Sequence, residues 1–264
     1  MFRGSRFFYN FAVMTDKSIT EANERTALVA GTEMMERLAG LRVTVFGVGG
    51  VGSWCVEALA RTGVGHITIV DPDDVAMSNI NRQMPALHST VGRPKVEVVA
   101  ERISDINPSC EVVAIKGRYT PENGASFALE CQDFVIDAID SLSDKADLIL
   151  CCTDPSTAPR TAFFSSMGAA RKLNPAKIRT AEFWDVEGCP LARALRTRFR
   201  RSGAFPKRKF RCVYSPETLP HRMEGESGVN GTFAHATAIF GLTLASMLIE
   251  KMYALTDSEK SKQT

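Results

Sequence analysis

The first strongly patterned part of the chain changes from a strand pattern to a helix pattern and back. Val43 and Val45 alternate with polar residues, as in a buried strand. A cluster of glycines follows, and a helical run then extends over residues 53–61. Residues 66–70 form a second apolar run, which ends in Asp71. This order of elements predicts a βαβ unit with parallel strands.

Strand and helix patterns continue to alternate beyond this unit. An amphipathic helix is predicted to follow Pro94 and to end near Asn107. The other predicted helices are at residues 21–38 and 145–152, and the other predicted strands are at residues 111–116, 134–141, 160–164 and 177–184. We therefore predict a Rossmann-like α/β fold: a doubly wound, mostly parallel sheet with N-terminal helices and a C-terminal helix.

The chain is predicted to form one domain, residues 21–255, between two flexible ends. Residues 1–20 lack the apolar core of a secretory signal, which indicates a disordered leader, with organelle targeting as the alternative. Residues 256–264 are polar and are predicted to be a flexible tail. Residues 231–249 are uncharged but rich in small and hydroxyl residues, which favours a core or dimer-interface helix; membrane association is the alternative.

The charge and cysteine content of the chain indicate its cellular compartment and the kinds of binding site that it can contain. The chain has 264 residues and a net charge of +2, so a nucleic-acid surface would have to be local. Its seven cysteines include no C-x-x-C pair. This pattern favours a reducing compartment, and argues against a disulfide framework or a structural zinc site. We therefore expect a cytoplasmic protein.

The glycine cluster between the first strand and the first helix is typical of a nucleotide site. Gly47, Gly49, Gly50 and Gly52 would let the backbone turn tightly and approach phosphates, while the following helix directs its amide groups at the anion. Asp71, about 20 residues further on, is suitable for binding a ribose hydroxyl. These features alone favour NAD, because the same pattern occurs in many dehydrogenases.

The polar residues beyond Asp71 favour a nucleoside triphosphate instead. Asn79 and Arg82 lie within the sequence Ser-Asn-Ile-Asn-Arg-Gln, which ends at Gln83. A dinucleotide already has its pyrophosphate held by the glycine turn and helix, and needs no such cation. With the glycines and the acid, this sequence resembles the ubiquitin-activating-type adenylating enzymes of the ThiF/MoeB group. That resemblance implies ATP and Mg²⁺.

The resemblance also implies roles for individual residues. Lys95, at the start of the predicted helix, corresponds to the phosphate lysine of these enzymes, and Arg82 compensates the same charge. Asp140 and Ser141 correspond to the pair that closes the adenine and ribose side, with Asp140 helping to hold Mg²⁺. Arg25 corresponds to an arginine that reaches the partner's ATP across a homodimer; the alternative is a solvated surface residue.

Residues 188–216 form a basic segment without any acidic residue, which we predict to be helix and loop. Apolar residues four apart in its first part predict a helix with arginines on its other faces. A solvated surface and a tRNA-binding surface both fit this composition. The candidate tRNA-binding residues are Arg196, Arg198, Arg200, Arg201, Lys207, Arg208 and Lys209.

Motifs in the second half are similar to one branch of these enzymes, the tRNA threonylcarbamoyladenosine dehydratases. They are Asn-Pro-Ala-Lys-Ile at residues 174–178, Cys-Pro-Leu-Ala at 189–192 and Cys-Val-Tyr-Ser-Pro-Glu at 212–217. This resemblance implies ATP-dependent dehydration of a modified adenosine in tRNA by a homodimer. The alternatives are adenylation of the C-terminus of a ubiquitin-like or sulfur-carrier protein, with sulfur-transfer proteins as partners, and a tRNA-binding scaffold without turnover.

Overall fold

A computed structural model describes residues 6–9, 16–222 and 230–263 of the chain. Within these residues the strands are β1 (Arg6–Tyr9), β2 (Arg42–Phe46), β3 (His66–Asp71), β4 (Glu111–Lys116), β5 (Phe134–Asp137), β6 (Ala162–Ser166), β7 (Arg179–Glu182) and β8 (Arg211–Tyr214). They form a single sheet in the order β1-β4-β3-β2-β5-β6-β8-β7. The pairs from β4 to β8 are parallel, whereas β1 and β7 pair antiparallel with their neighbours at the two edges.

Helices cover both faces of the sheet. They are α1 (Asp16–Ala30), α2 (Thr32–Gly40), α3 (Gly52–Thr62), α4 (Lys95–Ile106), α5 (Leu142–Thr153), α6 (Pro190–Ser202) and α7 (Ala234–Gln263). Short 3₁₀ helices lie at Met77–Asn79, His88–Thr90, Pro121–Phe127, Leu129–Cys131, Pro175–Lys177 and Phe183–Asp185.

The alternation along β2 separates two hydrophobic cores. Val43 and Val45 pack into a core with α3, α4 and α7, whereas Phe46 packs into a second core with α5 and α6. Both cores contain side chains that are completely buried. The predicted doubly wound, mostly parallel α/β fold is therefore confirmed.

The direction of chain winding reverses at β2. From β2 the chain moves to β3 and β4 on one side, and it later returns to β5 and β6 on the other side. In open α/β sheets, such a reversal leaves a crevice at the carboxyl ends of the two central strands. The topology therefore places the candidate site between the ends of β2 and β5.

Three segments differ from the sequence-based expectations. β1 and the start of α1 lie inside the segment predicted as a disordered leader; aromatic residues favour the strand, which completes the sheet edge beside β4. The rest of that leader, residues 1–5 and 10–15, lies outside the described residues. α7 continues to Gln263, through most of the predicted flexible tail. The basic segment contains β8 as well as a helix, because β8 pairs with β6 and β7 and buries Val213 and Cys212 in the two hydrophobic cores.

α7 packs closely against the start of α3. A methyl group at Gly241 would lie 2.2 Å from the carbonyl oxygen of Val51, the residue that caps α3. Phe240, Leu244 and Leu248 are fully buried on the same helix. Residues 234–258 are long and apolar enough to cross a membrane by length and composition. In this fold 39% of the most apolar part of this segment is buried, and its buried side chains join the core that contains Val43 and Val45.

The first prediction concerns this helix contact. Gly241→Ala should destabilise the fold by about 1–3 kcal/mol, because the added methyl group would push α7 away from α3. Gly40→Ala is the matched control, since nothing lies within 4 Å of a methyl group at the end of α2. Thermal and urea unfolding of both variants measure the difference. Equal midpoints for both variants would contradict the close packing.

Candidate active site

A cleft of about 1000 Å³ opens at the carboxyl ends of β2, β3, β5 and β6. It lies where the topology reverses, as expected for a ligand site in this fold. Most of the predicted nucleotide-site residues line it. They are Gly47, Gly49, Gly50, Asp71, Asn79, Arg82, Lys95, Asp140 and Ser141. The structure therefore brings together residues that are up to 94 positions apart in the sequence.

The glycine turn is shaped by close backbone contacts. Gly47 has a φ of +87°, and a methyl group there would lie 2.7 Å from the carbonyl oxygen of Ala138. A methyl group at Gly52 would lie only 1.8 Å from the carbonyl oxygen of Gly47. Gly52 does not line the cleft, although the sequence suggested a direct role in binding the nucleotide. Its role in the structure is to let α3 begin directly beside the turn.

Asp71 anchors the glycine turn from the end of β3. Its carboxylate accepts hydrogen bonds from the backbone N–H of Val48, at 2.8 Å, and of Asp73, at 3.0 Å. The side chain is 5% exposed, and burial raises its pKa although the nearby Lys95 opposes this effect. Each carboxylate oxygen keeps acceptor capacity beyond these bonds. Asp71 can therefore support the turn and still accept a hydroxyl group.

Lys95 is the first residue of α4 and is 4% exposed. Its ammonium nitrogen lies 2.8 Å from a carboxylate oxygen of Asp73 and 3.9 Å from one of Asp71. The sequence analysis considered a bound triphosphate as the group that would offset its unfavourable position at a helix N-terminus. In the structure, the carboxylates of Asp71 and Asp73 already offset this unfavourable position. Asp73 was not among the predicted site residues, although its spacing two residues after Asp71 was a usable signal.

The polar residues after β3 form a short turn at the mouth of the cleft. The side chain of Asn79 accepts a hydrogen bond from the backbone N–H of Ala76 at 3.1 Å. Arg82 donates to the carbonyl of Ser78 and to the side chain of Asn81, both at 2.8 Å. These bonds hold its guanidinium group at the mouth of the cleft. Because the group has five N–H donors, it can also bind an anion.

Gln83 was also absent from the predicted site residues. It lines the cleft beneath Gly49, is buried, and has a side-chain oxygen without a hydrogen-bond partner among the described residues. Its position at the end of the Ser-Asn-Ile-Asn-Arg-Gln sequence could have identified it. A buried polar atom at a cleft wall is a candidate for contact with a ligand or water.

Asp140 and Ser141 form the opposite wall, between β5 and α5. Asp140 is exposed to the cleft. Ser141 caps α5, and its hydroxyl oxygen accepts from the backbone N–H of Asp144 at 3.5 Å. Ser141 therefore has a structural role in addition to its place on the cleft wall. The carboxylate of Asp140 is the acidic group in this wall that is most accessible to a ligand.

The basic segment divides into internally bonded and exposed cations. Arg196 donates to the carbonyls of Phe183 and Val186, and Arg208 donates to carbonyls near the end of α5. Lys207 pairs with Asp154 at 2.5 Å. These three candidates for tRNA contact are thus committed to packing the segment onto the domain. Arg198 is partly engaged, 3.5 Å from Asp147.

Four cations of this segment are exposed and make no ion pair or side-chain hydrogen bond with any described residue. They are Arg193, Arg200, Arg201 and Lys209. Arg200 and Arg201 lie in the last turn of α6, and Leu191 in its first turn lines the cleft. One helix therefore connects the cleft with an exposed pair of arginines.

Arg25 lies on α1 and is exposed. It does not line the cleft of its own chain. The expected contact across a homodimer involves a second chain, so this role stays a prediction.

Comparison with known proteins identifies close relatives. Residues 22–264 match the sequence profile of the ThiF family. The tRNA threonylcarbamoyladenosine dehydratase of Bacillus subtilis (strain 168) is 43% identical over 194 residues, which cover 74% of each chain. The enzyme of that name from Escherichia coli (strain K12) is 37% identical over 252 residues, which cover 87% of this chain and 92% of the relative. A crystal structure of the E. coli tRNA N6-threonylcarbamoyladenosine dehydratase in complex with ATP superposes with a TM-score of 0.82, at 35% identity, and covers 94% of this chain and 99% of that chain.

The second prediction compares the ATP affinity of variants at Lys95 and Lys116, two lysines that pair with neighbouring acids after β3. Lys95→Ala should weaken ATP binding about 10- to 100-fold, because a charge-assisted hydrogen bond contributes about 1.5–3 kcal/mol. Lys116→Ala is the matched control: Lys116 pairs with Asp74 at 2.6 Å but does not line the cleft. Calorimetric titration with ATP, with thermal unfolding to check the fold, measures both variants. Similar ATP affinity of the two variants would contradict the assignment of Lys95.

Proposed function

This chain belongs to the ThiF family, and we propose that it is a tRNA threonylcarbamoyladenosine dehydratase. The enzyme uses ATP to cyclise the threonylcarbamoyl side chain on the adenosine beside the tRNA anticodon. The observation that carries this proposal is the cleft, where the glycine turn and four charged side chains face one space. The four side chains are Asp71, Arg82, Lys95 and the exposed Asp140.

The size of the cleft supports a reaction between two substrates. Its volume of about 1000 Å³ is at the upper end of the range for small-molecule sites. The glycine turn and Asp71 occupy one part of its wall. Met167, Gly168 and Leu191 line the part beyond Asp140. This second part offers space for a modified nucleoside next to a bound nucleotide.

In the proposed reaction, a carboxylate oxygen of the threonyl group attacks the α-phosphorus of ATP and pyrophosphate leaves. The neighbouring carbamoyl group then attacks the carbonyl carbon of the mixed anhydride, and AMP leaves with that carboxylate oxygen. The modified adenosine thus loses one water overall. Catalysis requires positioning and neutralisation of negative charge, and no protein nucleophile.

The chain's own residues account for these requirements. Lys95 and Arg82 neutralise the negative charge that moves onto pyrophosphate, and Asp71 fixes the turn that receives the nucleotide. In a homodimer, Arg25 of a second chain contributes further positive charge that neutralises the pyrophosphate. Because Lys95 is held by Asp71 and Asp73, its ammonium group is placed before the nucleotide arrives.

The cleft also suits Mg²⁺. The described residues contain no group of three metal-ligating side chains, but Mg²⁺ often binds through one or two carboxylates together with phosphate oxygens and water. Asp140 is exposed to the cleft and can serve as that carboxylate. A bound Mg²⁺ would offset the charge of the triphosphate.

The exposed cations of the basic segment are the proposed contacts for tRNA phosphates. Arg200, Arg201 and Lys209 keep this role from the original candidates, with Arg198 as a partly engaged contributor. Arg193 joins them, whereas Arg196 and Arg208 support the segment through bonds to backbone carbonyls, and Lys207 through its pair with Asp154. Backbone phosphates supply most of the affinity of such surfaces.

The proposal includes a cytoplasmic homodimer. A reducing compartment fits the free cysteines among the described residues. The burial of much of α7 favours a core helix over attachment to a membrane. Sulfur-transfer proteins stay predicted partners.

The third prediction tests the reaction itself. The protein, incubated with ATP, Mg²⁺ and threonylcarbamoylated tRNA, should produce AMP and a modified adenosine lighter by one water, measured by mass spectrometry of the digested tRNA. Asp140→Asn should reduce this turnover by about 100-fold or more while the protein remains folded, because such electrostatic contacts contribute about 3 kcal/mol. An unchanged nucleoside mass, together with adenylation of the C-terminus of a ubiquitin-like or sulfur-carrier protein, would favour activation of such a carrier as the function.

The fourth prediction tests the exposed pair at the end of α6. Arg200→Ala/Arg201→Ala should weaken tRNA binding and reduce its dependence on salt, by about one unit of log–log slope for each lost phosphate contact, without affecting ATP binding. Arg42→Ala/Arg160→Ala removes the same charge from exposed positions at the amino ends of β2 and β6. Filter binding at several salt concentrations compares the two variants. Equal losses in both would indicate a general charge effect rather than a docking surface.

A further inference from the structure

A completely buried ion pair lies directly behind the cleft wall. Asp137 ends β5 and Lys145 lies in the first turn of α5, and both side chains are 0% exposed. The Lys145 ammonium nitrogen lies 2.6 Å from a carboxylate oxygen of Asp137. Neither residue lines the cleft. The pair is therefore separate from the groups assigned to the nucleotide and to tRNA.

The pair connects two segments that form the cleft wall. Asp137 accepts a hydrogen bond from the backbone N–H of Ile139 at 3.0 Å, which orients the segment that leads to Asp140. Lys145 donates to the backbone carbonyl of Ser166 at 2.9 Å, at the end of β6. Ile139 and Ser166 both line the cleft. The two charges thus join the wall that carries Asp140 to the wall that begins at Ser166.

A serine completes the connection. The Ser165 hydroxyl donates to Asp137 at 2.6 Å, and Asp137 and Ser165 are partners in the register of β5 and β6. The carboxylate therefore receives hydrogen bonds from a strand, a loop and a helix. The bonds from Lys145 and Ser165 are buried and the bond from Ile139 is partly buried, so the arrangement has little freedom.

Stability alone does not account for this pair. Removing two charges from water is costly, and replacing a buried ion pair by uncharged residues is often neutral or stabilising. A rigid separation of the two walls would instead favour catalysis, because displacement of reacting groups by about 1 Å can reduce rates about 100-fold. The geometry of these hydrogen bonds suits this second role.

We propose that Asp137 and Lys145 are positioning residues that hold the segment carrying Asp140 and the segment beginning at Ser166 at the separation needed for adenylation. This inference rests on the proposed function. The pair acts through the backbone of Ile139 and Ser166 and touches neither substrate. Its loss should therefore affect the rate of the chemical step more than the affinity for ATP.

The fifth prediction uses a double variant that removes both charges together. Asp137→Asn/Lys145→Met should fold, because the amide oxygen of Asn can still accept from Ile139 and no buried charge is left alone. Its kcat for dehydration should fall about 10- to 100-fold, while its dissociation constant for ATP should stay within about threefold of that of the wild type. Single-turnover measurements and calorimetry give the two values.

Two further variants distinguish positioning from a general effect on the core. Leu148→Met changes a completely buried side chain of α5 with little change in volume, and should keep the wild-type kcat. Ser165→Ala removes the hydrogen bond that Ser165 donates to Asp137 and the one that it accepts from Lys145, but no charge, and should lower kcat about two- to fivefold. If the double variant does not fold, Ser165→Ala decides the question.

A folded double variant with wild-type kcat would overturn the inference, as would an unchanged kcat of Ser165→Ala. A lower melting temperature with unchanged kcat would show a purely structural role and would also overturn it. The wild type is assayed in parallel with threonylcarbamoylated tRNA. An inactive wild type would contradict the proposed function, and the inference would fall with it.

Discussion

The close approach of three backbone segments at the end of β2 determines where a site can form. The turn after β2, the start of α3 and the segment after β5 meet without intervening side chains. Two glycines make this possible: methyl groups at Gly47 and Gly52 would overlap with the carbonyl oxygens of Ala138 and Gly47. Because the segments are in contact, backbone amide groups and polar side chains from distant parts of the chain face one cleft.

Similar charged pairs flank this contact on both sides. The two strands next to β2, which are β3 and β5, each end in a buried aspartate. A lysine from the first turn of the next α-helix in the chain lies beside each aspartate. On one side these are Asp71 and Lys95, and on the other Asp137 and Lys145. Lys95 reaches the cleft, whereas Lys145 is enclosed behind its wall. In our proposals the same local arrangement serves ligand binding on one side and wall geometry on the other.

Local patterns in the sequence were sufficient for the fold and for most of the residues that line the cleft. The glycine turn, Asp71 and the polar turn after it lie within 43 residues, so their spacing indicated a nucleotide site, and the family resemblance pointed to ATP rather than NAD. The sequence could not show contacts between distant residues. Arg196 and Arg208 look like surface cations until the carbonyl groups they bind are known. The role that we propose for Lys145 depends on Ser166, which lies 21 positions later, at the end of β6. β8 was missed because its short apolar run follows directly on a series of arginines and lysines.

The position of α7 has a consequence for the order in which the protein is completed during synthesis. The residues of the proposed nucleotide site precede residue 142, but the apolar face of α3 is covered by residues of α7 beyond position 239. Thr237 also packs against Gly50 and donates to the carbonyl of Arg82 at 3.4 Å. A ribosome therefore produces the whole phosphate-binding motif well before the helix that supports it. Until that last helix emerges, the nascent chain carries an exposed hydrophobic surface beside an unfinished nucleotide site.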